Sequence, residues 1–156
     1  MGSVIEYQLL KKKHVREVIN TYHSNFWDGH PASRYGKIKM TTSLHDWLKF
    51  YDDYGGYGIV GYAGDKLASA YWGMLSPWHY NESKTQGMEC LYFILPEYRH
   101  GKLFVNFLEQ IDKVNRENNV DFYNLNVPYE QAPLADKLLS GYGFEPDGIN
   151  LRKDIT

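Results

Sequence analysis

The pattern of apolar and polar positions is clearest between Gly87 and Asn118, where it predicts a strand, a turn and a helix. Residues 88–95 form a run of mostly apolar and aromatic side chains that ends at Pro96, which is typical of a strand buried on both faces. Beyond a basic turn, apolar side chains recur at three- and four-residue spacing with polar positions between them, so this segment predicts an amphipathic helix. The apolar positions of that helix are Phe104, Phe107, Leu108, Ile111 and Val114.

Shorter periodic segments surround this central unit and complete an α/β pattern. Strands are predicted over residues 4–10, 57–63, 67–75 and 122–127, and a last strand or pair of strands over 144–145 and 149–153. Helices are predicted where helical apolar spacing begins, at Val15, Leu44 and Pro133, and residues 76–86 predict a polar connection. This order predicts one α/β domain, residues 1–156, with a mixed central sheet of about six or seven strands and helices on both faces.

Composition and charge limit the classes of function. The chain has 14 Tyr, 7 Phe and 4 Trp, more than a core of this size needs, so we expect some of them to line a cleft or an interface. A formal net charge of −2 disfavours broad nucleic-acid binding. The single cysteine, Cys90, excludes an internal disulfide framework and favours a reducing compartment. No apolar run approaches the roughly 20 residues that span a membrane. We therefore expect a cytoplasmic protein without membrane attachment.

The turn after the central strand carries a family motif. Residues 95–102 read Leu-Pro-Glu-Tyr-Arg-His-Gly-Lys, and this segment resembles the acetyl-CoA-binding motif of the GNAT N-acetyltransferase superfamily. Near the end of the chain, the segment from Leu134 through the Gly143-Phe144 turn to Lys153 is similar to the last helix, Gly-Phe turn and final strand of that family. The Arg-His-Gly-Lys version of the motif resembles divergent members encoded by bacteriophages. The resemblance implies a GNAT-like acyl-CoA N-acyltransferase fold.

The resemblance implies acetyl-CoA as cosubstrate, and the residue pattern offers a physical basis. A strand that passes through a basic, Gly-containing turn into a helix places unpaired N–H groups and the positive end of the helix dipole at one point, where an anion can bind. An ordinary crossover that binds nothing is the alternative. The family pattern has Gly near position 102 and a small residue near 104, so Lys102 and Phe104 could narrow the approach to the backbone. The predicted cofactor-binding residues are Leu95, Arg99, His100, Gly101, Lys102, Leu103 and Phe104.

Glu89 is the predicted catalytic base. It is the only carboxylate within the central strand, and we expect burial there to raise its pKa. A carboxylate of that kind can take a proton from an ammonium group, directly or through water. Strand alternation predicts that Glu89 shares a face with Leu91 and Phe93. The alternative is a glutamate that points into solvent or pairs with Lys84.

The general acid is less well defined by the resemblance. Many family members have a Tyr four residues before the Gly of the Gly-Phe turn and an Asn seven residues before that Tyr, and these positions hold Leu139 and Ala132 here. Tyr142 and Tyr129 are the candidates for protonating the leaving thiolate. Protonation by solvent, or weak or absent catalysis, stays open.

The acceptor pocket is predicted from loops. Residues 26–40 have no sustained periodicity, and a loop of that length in a compact domain is usually functional or mobile. In the resembled family, this region shapes the acceptor pocket. The six histidines show no metal-ligand spacing, so no metal site is predicted. The predicted substrate-binding residues are Trp27, Asp28, His30, Arg34, Trp78 and Tyr129.

These observations together predict an acetyl-CoA-dependent N-acetyltransferase. It moves an acetyl group by direct transfer to a primary amine of a small molecule or a protein. Two alternatives remain open: a catalytically silent GNAT-like module that binds another protein, and an acyltransferase that uses a different acyl donor.

Overall fold

The computed structural model describes residues 4–29, 36, 39–127, 132–148 and 151–155. Contacts divide the chain into two compact units, Met1–Leu125 and Asn126–Thr156. None of the helices within the described ranges is long and apolar enough to cross a membrane. The first unit contains β1 (Glu6–Leu9), α1 (Val15–Tyr22), α2 (Leu44–Tyr54), β2 (Tyr57–Ala63), β3 (Lys66–Trp78), β4 (Asn81–Ile94), α3 (Gly101–Glu117) and β5 (Phe122–Asn124), and the second contains α4 (Ala132–Leu139).

The sheet has the order β1-β2-β3-β4-β5, and it is mixed because β5 pairs parallel to β4 whereas all other neighbours are antiparallel. The predicted element order is confirmed as far as α4. Among the described residues the sheet has five strands, so the prediction of six or seven is wrong. The described residues of the predicted last strands, 144–145 and 151–153, lie outside any strand. Pro146 lacks a ladder donor and Gly148 has φ +149°, which interrupts this segment.

Residues 76–86 are not the polar connection that their composition predicts. They extend β3 and β4 into a long hairpin, in which Ser76 pairs with Gln86 and Pro77 with Thr85. Backbone hydrogen bonds hold this ladder whatever the polarity of the side chains, so exposed polar residues continue both strands beyond the core.

Both faces of the sheet are buried in the first unit, as a strand without polar alternation predicts. The neighbouring residues Tyr71 and Trp72 of β3 are both fully buried and point to opposite faces. Trp72 belongs to a cluster with side chains of α1, and those of α2 pack against it, whereas Tyr71 belongs to a cluster with side chains of α3. The Trp72 cluster comprises Leu10, Val15, Val18, Ile19, Val60, Leu67, Ala70, Trp72, Leu91 and Phe93. The Tyr71 cluster comprises Tyr57, Ile59, Tyr71, Ile94, Phe107, Ile111 and Val114.

The ends of α2 follow from local sequence. Ser43 is the N-cap, and its Oγ accepts a hydrogen bond from the Asp46 N–H at 3.1 Å. Gly55 ends the helix with φ +82°, a conformation that favours glycine, and its N–H donates to the Tyr51 carbonyl at 2.8 Å.

A buried polar group fastens α3 to the sheet. The Tyr57 hydroxyl donates to Asn115 Oδ1, and the Asn115 Nδ2 donates to the Ile111 carbonyl at 2.8 Å. The Tyr71 hydroxyl lies 3.4 Å from that of Tyr57. Gly87 of β4 makes this approach possible, because a Cβ there would lie 2.8 Å from Asn115 Oδ1. Asn115 is therefore a buried amide with both ends bonded, which ties the C-terminal half of α3 to β2 and β4.

We expect the Asn115→Ala substitution to lower the free energy of unfolding by about 2–3 kcal/mol, because it leaves a buried Tyr57 hydroxyl without its acceptor and opens a small void. Urea unfolding followed by circular dichroism measures this. The control is Asn118→Ala, since Asn118 also donates to the carbonyl four residues before it but is exposed. Equal losses in the two variants would contradict the anchoring role of Asn115.

Candidate functional site

The fork between β4 and β5 is the first element of the candidate site. The two strands pair in parallel only from Gln86 to Met88, opposite residues 122–124. β5 ends at Asn124, whereas β4 continues to Ile94. The pairing of the two strands therefore ends directly before Glu89, and we call this place the fork.

A β-bulge occurs in β4 at the same place. Leu91 pairs with Trp72 and Glu89 pairs with Gly73, so Cys90 is an extra residue without an opposite partner on β3. The bulge breaks the alternation from which Glu89 was predicted on the face of Leu91, and that prediction is wrong. The register instead places Glu89 opposite Gly73, on the face that carries Tyr71.

Glu89 is half-buried, and its carboxylate acts on several neighbouring groups. Burial raises the pKa of Cys90 to about 12, and the Glu89 charge adds to this rise. Burial likewise raises the pKa of Tyr22, Tyr71 and Tyr92, again with a contribution from Glu89. These phenols therefore stay protonated at neutral pH, and each is near enough to Glu89 for its charge to act on the phenol pKa. Sequence reasoning missed them, although Tyr92 follows Glu89 by three positions on the same strand.

A short turn carries β4 into α3. Leu95 is buried, its N–H donates to the Ala68 carbonyl at 2.8 Å, and its carbonyl accepts from Tyr98 N–H at 2.9 Å. One 3-10 turn, Pro96–Tyr98, follows, and Glu97 within it pairs with Lys66 at 2.6 Å. These bonds hold the turn against β3. Leu95, which is predicted to bind the cofactor, thus fixes the position of the turn through its backbone hydrogen bonds.

The N-terminus of α3 has the properties of an anion site. His100 is the N-cap residue but makes no side-chain capping bond, and the first turn contains no acidic residue. The N–H of Leu103 donates to the His100 carbonyl at 3.2 Å, and the amides of Gly101 and Lys102 precede it in the helix. Gly101 has φ +51°, and a Cβ there would have no atom within 4 Å, so the space beside it is open. The positive helix end and the Lys102 ammonium thus lie together without a nearby acidic side chain in the first turn.

The two residues that depart from the family pattern leave this space open. Phe104 is half-buried and packs against the Tyr71 cluster, and Lys102 is exposed. Arg99 is held in place: its Nε donates to the Ile94 carbonyl at 2.7 Å, and its Cζ lies 5.5 Å from the centroid of the Phe26 ring. The structure therefore brings Arg99, His100, Gly101 and Lys102 to one exposed turn at the end of β4.

The structure describes only some of the residues that are predicted to bind the acceptor. Trp27 ends a π-helical segment, His23–Trp27, that continues α1, and the exposed Asp28 follows it. Trp78 lies near the hairpin tip, about 16 Å along β3 from the residue opposite Glu89, so it is not brought beside the predicted base. His30, Arg34 and Tyr129 lie outside the described residues.

In the second unit, the predicted acid Tyr142 is exposed and lies in the 3-10 turn Ser140–Tyr142, which follows α4. Gly143 after this turn has φ +85°, a left-handed conformation that favours glycine and ends the helical segment. Within the ranges that the structure covers, no group of three His, Cys, Asp or Glu side chains is arranged to hold a metal ion.

Comparison with known proteins places the fold. No protein-family model matches the chain, and no curated protein sequence matches it. An aminoglycoside acetyltransferase from an uncultured soil metagenomic sample, in complex with sisomicin, has a TM-score of 0.71 at 9% identity over 97% of both chains. An aminoglycoside N-acetyltransferase in complex with CoA has a TM-score of 0.66 at 12% identity over 100% of this chain and 98% of that one. Glucosamine-6-phosphate N-acetyltransferase from Arabidopsis thaliana has a TM-score of 0.63 at 10% identity over 98% and 99%.

At these identities the likeness establishes the fold. The chain has the α/β fold of the GNAT-type acetyltransferases, which confirms the resemblance that residues 95–102 indicate.

We expect the Cys90 thiol to react with iodoacetamide at pH 8 at least about 100-fold more slowly than in the unfolded chain, because the raised pKa of Cys90 leaves little thiolate. Removing the nearby negative charge by Glu89→Gln lowers that pKa and speeds alkylation. Glu82→Gln, an exposed change on the same strand, is the control. Mass spectrometry of timed samples measures the rates. Equal rates in Glu89→Gln and the wild type would contradict the placement of an ionised Glu89 beside Cys90.

Proposed function

We propose that this chain transfers an acyl group from an acyl-CoA, acetyl-CoA in the simplest case, directly to a primary amine. The observation that carries the proposal is the exposed N-terminus of α3, which lacks a side-chain cap and an acidic first turn and follows β4 directly. It lies at the end of the strand whose middle carries the fork and Glu89. One extended ligand with an anionic end could contact both the N-terminus of α3 and the fork beside Glu89.

The donor would bind with its diphosphate at the turn. The amides of Gly101 and Lys102 would donate to phosphate oxygens, and the Arg99 and Lys102 side chains would add positive charge. The thiol-bearing arm would run along β4 toward the fork. Between Glu89 and Ile94 the strand extends about 17 Å, so the thioester end reaches the carboxylate only in an extended conformation.

The chemistry requires three groups to act on the held thioester. A neutral amine attacks the thioester carbon, the C–N bond forms and the C–S bond breaks. Glu89, directly or through water, takes the proton that the amine loses. The thiolate receives a proton from a phenol or from solvent. Tyr92, whose pKa is raised by burial and by the Glu89 charge, joins Tyr142 and Tyr129 as a candidate donor.

The acceptor side would be formed by Trp27, which ends the π-helical segment, by Asp28 after it, and by His30 and Arg34 of the predicted acceptor loop. The structural relatives named above include enzymes for aminoglycosides and for glucosamine 6-phosphate. Amines on sugar rings are therefore the first acceptors to assay, ahead of peptide amines.

A catalytically silent binding module is the second candidate, and one observation favours it. An aromatic cluster at the tip of the β3–β4 hairpin includes Trp78, Tyr80 and Phe122, and Tyr80 is 76% exposed. Thermal-shift titration separates the two functions, because a ligand that binds only the folded state raises the melting temperature. No shift with millimolar CoA or acetyl-CoA favours the silent module, whereas a larger shift with a longer acyl-CoA indicates a different donor.

We expect Lys102→Glu to weaken CoA binding about tenfold, because it places a negative charge where the diphosphate binds. The same change puts an acid at a helix N-terminus, so the melting temperature is unchanged or higher. Lys113→Glu is the control, since Lys113 lies about 17 Å further along α3 and pairs with Glu117 at 3.9 Å. Calorimetric titration and thermal unfolding give both values. Unchanged CoA affinity in Lys102→Glu would contradict donor binding at this helix end.

We expect Glu89→Gln to lower kcat/KM at pH 7 by about 100- to 1,000-fold, because the acceptor ammonium loses its base. The loss shrinks as the pH approaches the pKa of the amine, where the acceptor is already neutral. Glu82→Gln, on the exposed part of the same strand, keeps the wild-type rate. A pH–rate profile from thiol release measures this. A wild-type rate for Glu89→Gln at neutral pH would remove Glu89 as the base.

A further inference from the structure

Arg99 is held from two sides by elements that are far apart in sequence. Its Nε donates to the Ile94 carbonyl at the end of β4, at 2.7 Å. Its guanidinium carbon lies 5.5 Å from the ring centroid of Phe26, which belongs to the π-helical segment after α1. The electron-rich face of an aromatic ring attracts a cation at this distance. The orientation of the guanidinium therefore depends on Phe26 as well as on the strand end.

Phe26 is itself fixed against the central strand. Its ring stacks on that of Phe93 in β4, with centroids 5.2 Å apart and an interplanar angle of 29°. The Tyr22 ring, four residues earlier along the helix, lies 6.1 Å from that of Phe26. A π-helical turn is rare, and such turns are frequent at functional sites. This one ends at Trp27, inside the region predicted to shape the acceptor pocket, residues 26–40. Phe26 thus contacts β4 through Phe93 and the turn after β4 through Arg99, and it belongs to the π-helical segment itself.

The hydrogen bond to Ile94 uses one of the five N–H donors of Arg99. The four donors on the terminal nitrogens form the planar fork that matches phosphate oxygens, and such a fork binds best when its plane is fixed beforehand. The Phe26 ring adds to that constraint, because cation–π attraction favours positions of the guanidinium over the ring face.

We propose that Phe26 is a positioning residue for the acyl donor. Its ring holds the Arg99 guanidinium in the orientation that meets the donor diphosphate, and donor affinity therefore depends on the segment that leads into the acceptor loop. This inference rests on the proposed function. It also implies linkage: an acceptor that shifts the π-helical segment changes donor affinity, and the donor changes acceptor affinity by the same factor.

The test replaces the ring and keeps the apolar volume. Phe26→Leu is expected to raise the Kd of CoA about three- to tenfold, whereas Phe26→Tyr, which keeps the aromatic face, stays within about twofold of the wild type. The control is Phe50→Leu. Phe50 on α2 is half-buried like Phe26 and contacts Trp72 at 5.5 Å, but it has no contact with Arg99. Calorimetric titration with CoA gives the Kd values, and an equal loss in Phe50→Leu overturns the proposal.

A double-mutant cycle shows whether Phe26 acts through Arg99. In an Arg99→Gln background, Phe26→Leu is expected to cause no further loss of CoA affinity, because the group it positions is gone. Additive losses overturn the proposal, since Phe26 would then act on the donor by another route.

Two further outcomes separate this inference from the proposed function. If the wild type binds no CoA at millimolar concentration, the proposed function fails. If the wild type binds CoA and Phe26→Leu binds it equally well, only the role of Phe26 fails. The Nε–Hε NMR signal of Arg99 reports the contact without ligand, and Phe26→Leu is expected to shift it because the ring current is lost. An unshifted signal overturns the contact on which the inference rests.

Discussion

The site depends on the hydrogen bond from Tyr57 to Asn115, which anchors α3 beneath β4 at the closed end of the fork. From Asn115 back to Gly101 the helix covers about 21 Å, and from Gly87 forward to Ile94 the strand covers about 23 Å. These two lengths match. With Asn115 of α3 held beside Gly87, the first residue of α3 therefore lies near Ile94, at the C-terminal end of β4. The buried bond thus sets where the positive end of α3 lies relative to the fork. A side chain larger than hydrogen at Gly87 would collide with the anchor.

The beginning of α3 departs from the rules that stabilise a helix N-terminus. His100 provides no cap, Gly101 adopts a positive φ, and Lys102 places a cation beside the positive end of the dipole. Each feature costs helix stability when no ligand is bound, and each favours a bound anion. Sequences tend to break such local rules at functional sites. The contact between Arg99 and Phe26 has the same character, because it fixes a flexible cation before any ligand arrives.

Features set by local pattern could be predicted from the sequence. The central strand–turn–helix unit, the hairpin around residues 64–66 and the Ser43 cap depend on neighbours within a few positions. Features that depend on distant partners could not. Cys90 is a bulge residue only because of the register that β4 adopts against β3, and the residues beside it, Glu89 and Leu91, give no sign of it. The pairing of Arg99 with Phe26 joins residues brought together by the sheet, and no spacing in the sequence announces it.

The central claim is that the first backbone amides of α3 donate hydrogen bonds to a diphosphate at the end of β4. An NMR titration of the 15N-labelled protein with CoA tests it most directly, because amide protons shift when they donate to phosphate. The account predicts that the largest shifts occur at Gly101, Lys102 and Leu103, with smaller ones along β4 toward Glu89. Shifts confined to other parts of the chain, or none at millimolar CoA, would contradict it.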